Sequence, residues 1–243
     1  MKRRLLMLLS VFMTITSVGW LQAQDGGPTI TTDLTVAQKD RAIVFGITTT
    51  KGNAEDVKVR ASLTADGNAF EGWESFYYEP NGNNPGWVKW NPENDGFGPA
   101  EGFPLMDATS YIKVVPRTAG TFTYTLNVTK VGVGDTLITQ PCTLVVKDEP
   151  VSPIASINGT DYASLYTAVH FAGENNTISL TAGDFLLTRG TESIASGNNE
   201  SGWYLPIDKE GIKIVGATDG NNVPTSHIYT KVDASNGVWS SQN

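Results

Sequence analysis

Between Gly72 and Phe103 the chain carries Trp73, Phe76, Tyr77, Tyr78, Trp87, Trp90, Phe97 and Phe103, interleaved with Asn, Gly and Pro. An aromatic face can stack on the C–H face of a sugar ring, and Asn or Asp beside it can accept hydroxyl hydrogen bonds. That chemistry makes Trp87 and Trp90, flanked by "NGNNPG" and "NPENDG", the first candidates for ligand binding, with Tyr77 and Trp73 beside them. The ligand they suit is a polysaccharide or a cell-surface glycan. For any single ring the favoured reading is that it plugs or covers the core, where large aromatics bury the most surface per residue. Trp87 and Trp90 are the pair to test as a binding face.

Other chemistry is thinner. "NPENDG" places Asn91, Glu93, Asp95 and Gly96 like the first half of a calcium loop, but Gly102 stands where the bidentate carboxylate belongs, so a plain Asn/Gly turn is the better reading. His170 and His227 are the two histidines, and neither has a metal-ligand spacing or a nucleophile motif beside it. His170 is expected to partner a backbone group. Asp184, Asp208, Glu210 and Asp219 are available carboxylates that also fit ordinary turns or strand edges. No catalytic residue, metal ligand or cofactor is assigned.

The address bounds the function classes. Residues 1–23 run from a basic start (Lys2, Arg3, Arg4) through an apolar stretch to small and polar residues at Ala23, the order of a secretory signal peptide. Thr14, Thr16 and Ser17 interrupt the stretch, which falls short of the roughly 20 apolar residues that a membrane span needs. The mature chain is therefore expected to begin at Gln24, with no membrane span, as a secreted or cell-surface protein. Without the leader, 14 basic residues face 25 acidic ones. Such a surface repels phosphate backbones and excludes nucleic acid as a partner. A strongly anionic glycan would need a local basic site, and no basic cluster occurs along the mature sequence. Cys142 is the one cysteine, so no internal disulfide staples the chain and stability must come from buried apolar surface.

The elements that must position these residues divide at "KDEPVSP", where two prolines and three consecutive charges cannot continue a strand. Residues 24–147 are a succession of short strands separated by turn signals: "AIVFGITTT", "DVKVRASLT", "ESFYYE", "TSYIKVV", "TFTYTLNVT" and "TLITQPCTLVV". This grammar predicts a β-sandwich. In "AGTFTYTLNV", Phe122, Tyr124, Leu126 and Val128 alternate with Thr and Asn, one face for the core and one for water.

Residues 96–128, "GFGPAEGFPLMDATSYIKVVPRTAGTFTYTLNV", resemble the Ig-like domains that recur in large secreted and surface proteins of bacteria. The resemblance implies an Ig-like sandwich without the inter-sheet disulfide, and it implies no chemistry, since such domains serve as spacers, adhesion modules and glycan binders alike.

After a linker at residues 148–153 the grammar changes. Ser164 is a good N-cap for the helical stretch "LYTAVHFA", followed by "NTISLTAGDFLLT", two short strands hinged at Gly183, then "EGIKIVGATDG" and "SHIYTKV". Short strands broken by Gly or Asn corners, with no tight hairpin expected between them, suit a parallel coil. Residues 162–172, 176–187 and 207–217 resemble the opening of right-handed parallel β-helix proteins of the pectin-lyase-like class, in which a helix lids the first rung. The expected fold class is thus all-β, an Ig-like sandwich followed by the capped start of a right-handed parallel β-helix over residues 154–243. A coil buries its core only by stacking roughly three or more rungs, so the sequence is expected to be the N-terminal part of a longer protein. Two functions fit: a non-catalytic glycan-binding or adhesive surface protein, or the front end of a polysaccharide lyase or glycoside hydrolase whose catalytic rungs lie beyond residue 243. The first is the reading for the chain as it stands.

Overall fold

The computed structural model describes residues 26–54, 56–65, 74–79, 86–89, 103–105, 108–187, 205, 207 and 209–230. Residues 1–25, Trp73, Trp90 and "NPENDG" lie outside them, as does Asp208. The first region contributes β1 (Thr29–Thr32), β2 (Val36–Gln38), β3 (Ile43–Thr50), β4 (Lys58–Ala65), β5 (Glu74–Glu79) and β6 (Gly86–Lys89). It continues with β7 (Phe103–Pro104), β8 (Ala108–Val115), β9 (Gly120–Lys130) and β10 (Thr136–Lys147). All six strands expected from the alternation are present.

These strands form two sheets. One has the order β2-β10-β9-β4-β7, and the other, the central sheet, runs β6-β5-β8-β3 with β1 also on β3. One buried cluster draws Leu63, Leu126, Val128 and Leu144 from the first sheet and Phe45, Ile47, Ile112 and Val114 from the second. Two sheets sharing an apolar core make a sandwich. In β9 the inward set holds Tyr124, Leu126 and Val128 fully buried, while Phe122 is only half-buried at the strand's start. The Tyr124 hydroxyl is accommodated in this core by donating to the Leu34 carbonyl at 2.9 Å.

The second region adds β11 (Ala155–Ile157), β12 (Thr160–Tyr162), α1 (Leu165–Phe171), β13 (Thr177–Leu180), β14 (Gly183–Leu187), β15 (Lys213–Val215) and β16 (Ser226–Thr230). β11 and β12, which precede the strands read as a coil, close a tight antiparallel hairpin, Ile157 opposite Thr160, around Asn158 and Gly159 at φ of 49° and 82°. Asn-Gly is the pair that such a two-residue turn favours, because both positions need positive φ. The later strands pair in parallel: Ile178 with Ile214 in β13 and β15, and Phe185 with Ile228 in β14 and β16. Gly183, at φ 125°, makes the corner between β13 and β14. The corner is stacked on the next one by Ser226, whose hydroxyl donates to the Thr181 carbonyl at 2.7 Å and accepts from the Ala217 amide at 2.8 Å.

The central sheet does not stop at residues 148–153. β12 lies parallel on the β3 edge, Asp161 opposite Ile43 and Tyr162 opposite Val44, and β11, β13 and β15 follow it outward. β3 is consequently buried on both faces, which its sequence "IVFGITTT" foreshadows as a continuous rather than alternating apolar run. Ile43, Phe45 and Ile47 face the sandwich core, and Val44 joins a second cluster with Leu165, Ala168, Val169, Ile178 and Phe185. Helix α1 therefore packs between the outer face of the central sheet and the parallel strands.

Burial falls along the parallel stack. Ile178 and Phe185 are 0 % and 6 % exposed, whereas Ile214 above the first is half-buried and Ile228 above the second is 45 % exposed. Ile178→Ala should destabilise the chain by about 2–4 kcal/mol, while Ile228→Ala should cost under about 1 kcal/mol. Urea unfolding of the two variants checks the gradient; equal costs would contradict it.

Candidate functional site

The outer face of the central sheet is where side chains from separate elements converge. In an antiparallel sheet directly opposed residues share a face, and so do residues two apart on one strand. Phe76 opposes Lys89 of β6 and Lys113 of β8; Trp87 and Tyr111 lie two residues along from those lysines. The geometry agrees: the Lys113 ammonium lies 5.8 Å from the centroid of the Trp87 ring, within cation–π range. α1 closes one side of this face. Trp87 stacks on Phe171 with centroids 5.3 Å apart, and Tyr111 meets Phe171 edge-on at 5.1 Å. His170, exposed at the helix end, stacks on Tyr111 at 4.4 Å with the ring planes 21° apart. Trp87, Tyr111 and Lys113 are half-buried, and Lys89 is exposed.

The four residues singled out in the sequence fare differently. Trp87 belongs to this face. Tyr77 opposes Val88 and Ile112 and packs against the sandwich core, so it sits on the other side of the sheet from Trp87 and the two are not brought together. Trp73 and Trp90 lie outside the described residues. Sequence reading missed Tyr111, Lys89 and Lys113, because only strand pairing makes neighbours of residues so far apart along the chain.

The remaining polar candidates are in turns or pairs. Asp219 accepts from the amides of Asn221 and Val223 at 2.8 and 2.9 Å, an Asx-type turn. Asp184 and His227 stand on neighbouring parallel strands, 3.2 Å apart and both exposed. Among the described residues no group of three or more His, Cys, Asp or Glu could hold a metal ion. Cys142 is half-buried, and burial pushes its thiol up, favouring the neutral form.

Two polar contacts hold α1 and the β11–β12 hairpin in place. Arg41, just before β3, makes a bidentate pair with the buried Asp161 carboxylate, Nε to Oδ2 at 2.8 Å and a terminal nitrogen to Oδ1 at 2.6 Å. Asp33, just after β1, accepts from the Gly46 amide at 2.7 Å and from the Thr167 hydroxyl at 2.8 Å. Ser164, which N-caps α1 by accepting from the Thr167 amide at 3.1 Å, also hydrogen-bonds to Asp33. The enclosed carboxyl is pushed above the ordinary carboxylate range by desolvation, which outweighs these hydrogen bonds.

No protein-family model matches the chain, and no curated protein matches it. Among solved structures the chain is similar to AvmM, which catalyses macrocyclisation in alchivemycin A biosynthesis, at 14 % identity and a TM-score of 0.37, covering 54 % of this chain and 93 % of that one. It is also similar to domains 4 and 5 of the S-layer protein SbsC, at 13 % identity and a TM-score of 0.28, over 49 % of this chain and 44 % of the other. The seventh ScaB type I cohesin of Pseudobacteroides cellulosolvens matches at 9 % identity and a TM-score of 0.26, over 52 % of this chain and 96 % of the cohesin. The sandwich described above rests on strand order and the shared core. No described helix is long and apolar enough to cross a membrane.

Asp33 gives a pH signature with a definite sign. Because its folded pKa lies above the unfolded one, the stability it contributes is present below the unfolded carboxylate range and lost as pH rises through the raised value. The unfolding free energy of the wild type relative to Asp33→Asn should therefore fall with rising pH across the mildly acidic range. Parallel profiles for the two proteins would contradict this.

Proposed function

We propose that the chain is an exported, non-catalytic module of a bacterial surface or secreted protein, with a glycan-binding or adhesive role centred on the outer face of the central sheet. The observation that carries this reading is the convergence of Trp87, Tyr111 and His170 from two strands and a helix onto one partly exposed aromatic surface. Planar rings held in place by packing suit ligand contact, because little side-chain freedom is lost on binding.

In the same reading, residues 24–147 form an Ig-like sandwich, 148–153 the linker and 154–243 the start of a right-handed parallel coil lidded by α1. The in-register parallel pairs and the stacked corners at Thr181, Ala217 and Ser226 support the coil. They also support the second function, in which this chain fronts a polysaccharide-cleaving enzyme, because such coils carry their chemistry on later rungs.

Material recovered from the culture medium should begin at Gln24 and be retained on at least one member of a panel of immobilised neutral and acidic polysaccharides. Trp87→Phe keeps a ring on Phe171 and should preserve folding. Trp87→Ala should lower the Tm by a few degrees and weaken retention about tenfold or more. A folded Trp87→Ala protein that binds as the wild type does would overturn the reading.

A further inference from the structure

The mature chain is strongly acidic and shows no basic cluster along its sequence, yet folding assembles one on this aromatic face. Phe76 is the common cross-strand partner of Lys89 and Lys113, so the two lysines flank it on one face, with backbones about 10 Å apart across two strand spacings. Trp87 and Tyr111 form the next row of the same face, and His170 borders it from α1. Glu74, two residues before Phe76 and so on the same face, has its carboxylate engaged by Arg117 at 3.2 Å. The lysine pair is thus a cationic island in an anionic surface, placed beside rings.

Resting on the glycan reading above, we infer that this face takes an acidic glycan, a chain with one carboxylate per sugar, whose sugars lie against the exposed parts of Trp87, Tyr111 and His170 while its carboxylates meet Lys89 and Lys113. A neutral glycan would use the rings and leave the lysines without a role. A densely sulfated one would carry more negative charge per sugar than two lysines can match. The chain's net negative charge disfavours a polyanion in general, so a local pair of lysines helps to set where the ligand docks. Lys113 over Trp87 is preorganised by the cation–π contact, which reduces the ordering cost of its long side chain on binding.

The test is binding of the mature protein to alginate, dextran sulfate and dextran by biolayer interferometry at low and physiological salt. The inference expects alginate to bind best, to weaken as salt rises, and to lose about tenfold in affinity in the Lys89→Gln/Lys113→Gln double variant. Lys89 is exposed and Lys113 half-buried, so that variant should stay folded, with the Tm lowered only slightly by loss of the contact to Trp87; Lys89→Arg/Lys113→Arg should retain binding and controls for folding. Alginate binding that is unchanged in the glutamine variant overturns the inference. Binding of dextran alone, or of dextran sulfate in preference to alginate, overturns it while leaving the glycan reading intact. Failure of all three to bind, together with failure of the wider panel, overturns both.

Discussion

One edge of β3 serves two partners. β1 pairs with its later half as far as Ile47, and β12 pairs with its earlier half as far as Val44. Gly46 lies at the join, where neither strand supplies an acceptor for its amide. The Asp33 carboxylate fills that place, and its other oxygen holds the Thr167 hydroxyl in the first turn of α1. A buried amide without an acceptor would cost about 1–3 kcal/mol, so the handover from one strand to the next requires a group such as this one. The Ala163 amide, donating to the Val44 carbonyl at 2.9 Å, and the Arg41–Asp161 pair complete the seam.

From this seam the layers follow. Because β12 extends the central sheet instead of starting a new one, the helix after it is delivered to the outer face, over Val44 and beside Tyr111 and Trp87. The sheet is then covered by the second sheet on one side and by α1 with the parallel strands on the other. Coverage is incomplete toward β6, and that is where rings and lysines remain partly in water. The aromatic face is in this sense a margin of the core, which explains why aromatics there both pack and stay accessible.

How much of this was legible beforehand depends on the range of the interaction. Local alternation gave β9 its inward set, and Ser164 was readable as an N-cap because that contact spans three residues. The Asn158-Gly159 turn is equally local, because the dipeptide favours the positive φ that a two-residue hairpin needs. Tyr77 and Trp87 looked alike as aromatics in one segment, yet strand phase puts them on opposite faces, and that phase depends on the register of β5 against β6 and β8. The Asp33–Thr167 and Arg41–Asp161 contacts join residues more than a hundred apart, which no periodicity reveals.

The seam on β3 joins the strands before residue 148 and the hairpin and helix after residue 153 into one cooperative structure. Native-state hydrogen exchange, followed residue by residue under increasing denaturant, is the decisive measurement. The amides of Gly46, Asp161 and Ala163 should open with the same free energy as those of Phe45 and Ile112 in the sheet interior. Exchange of Asp161 and Ala163 at a clearly lower free energy, while Phe45 and Ile112 stay protected, would contradict it.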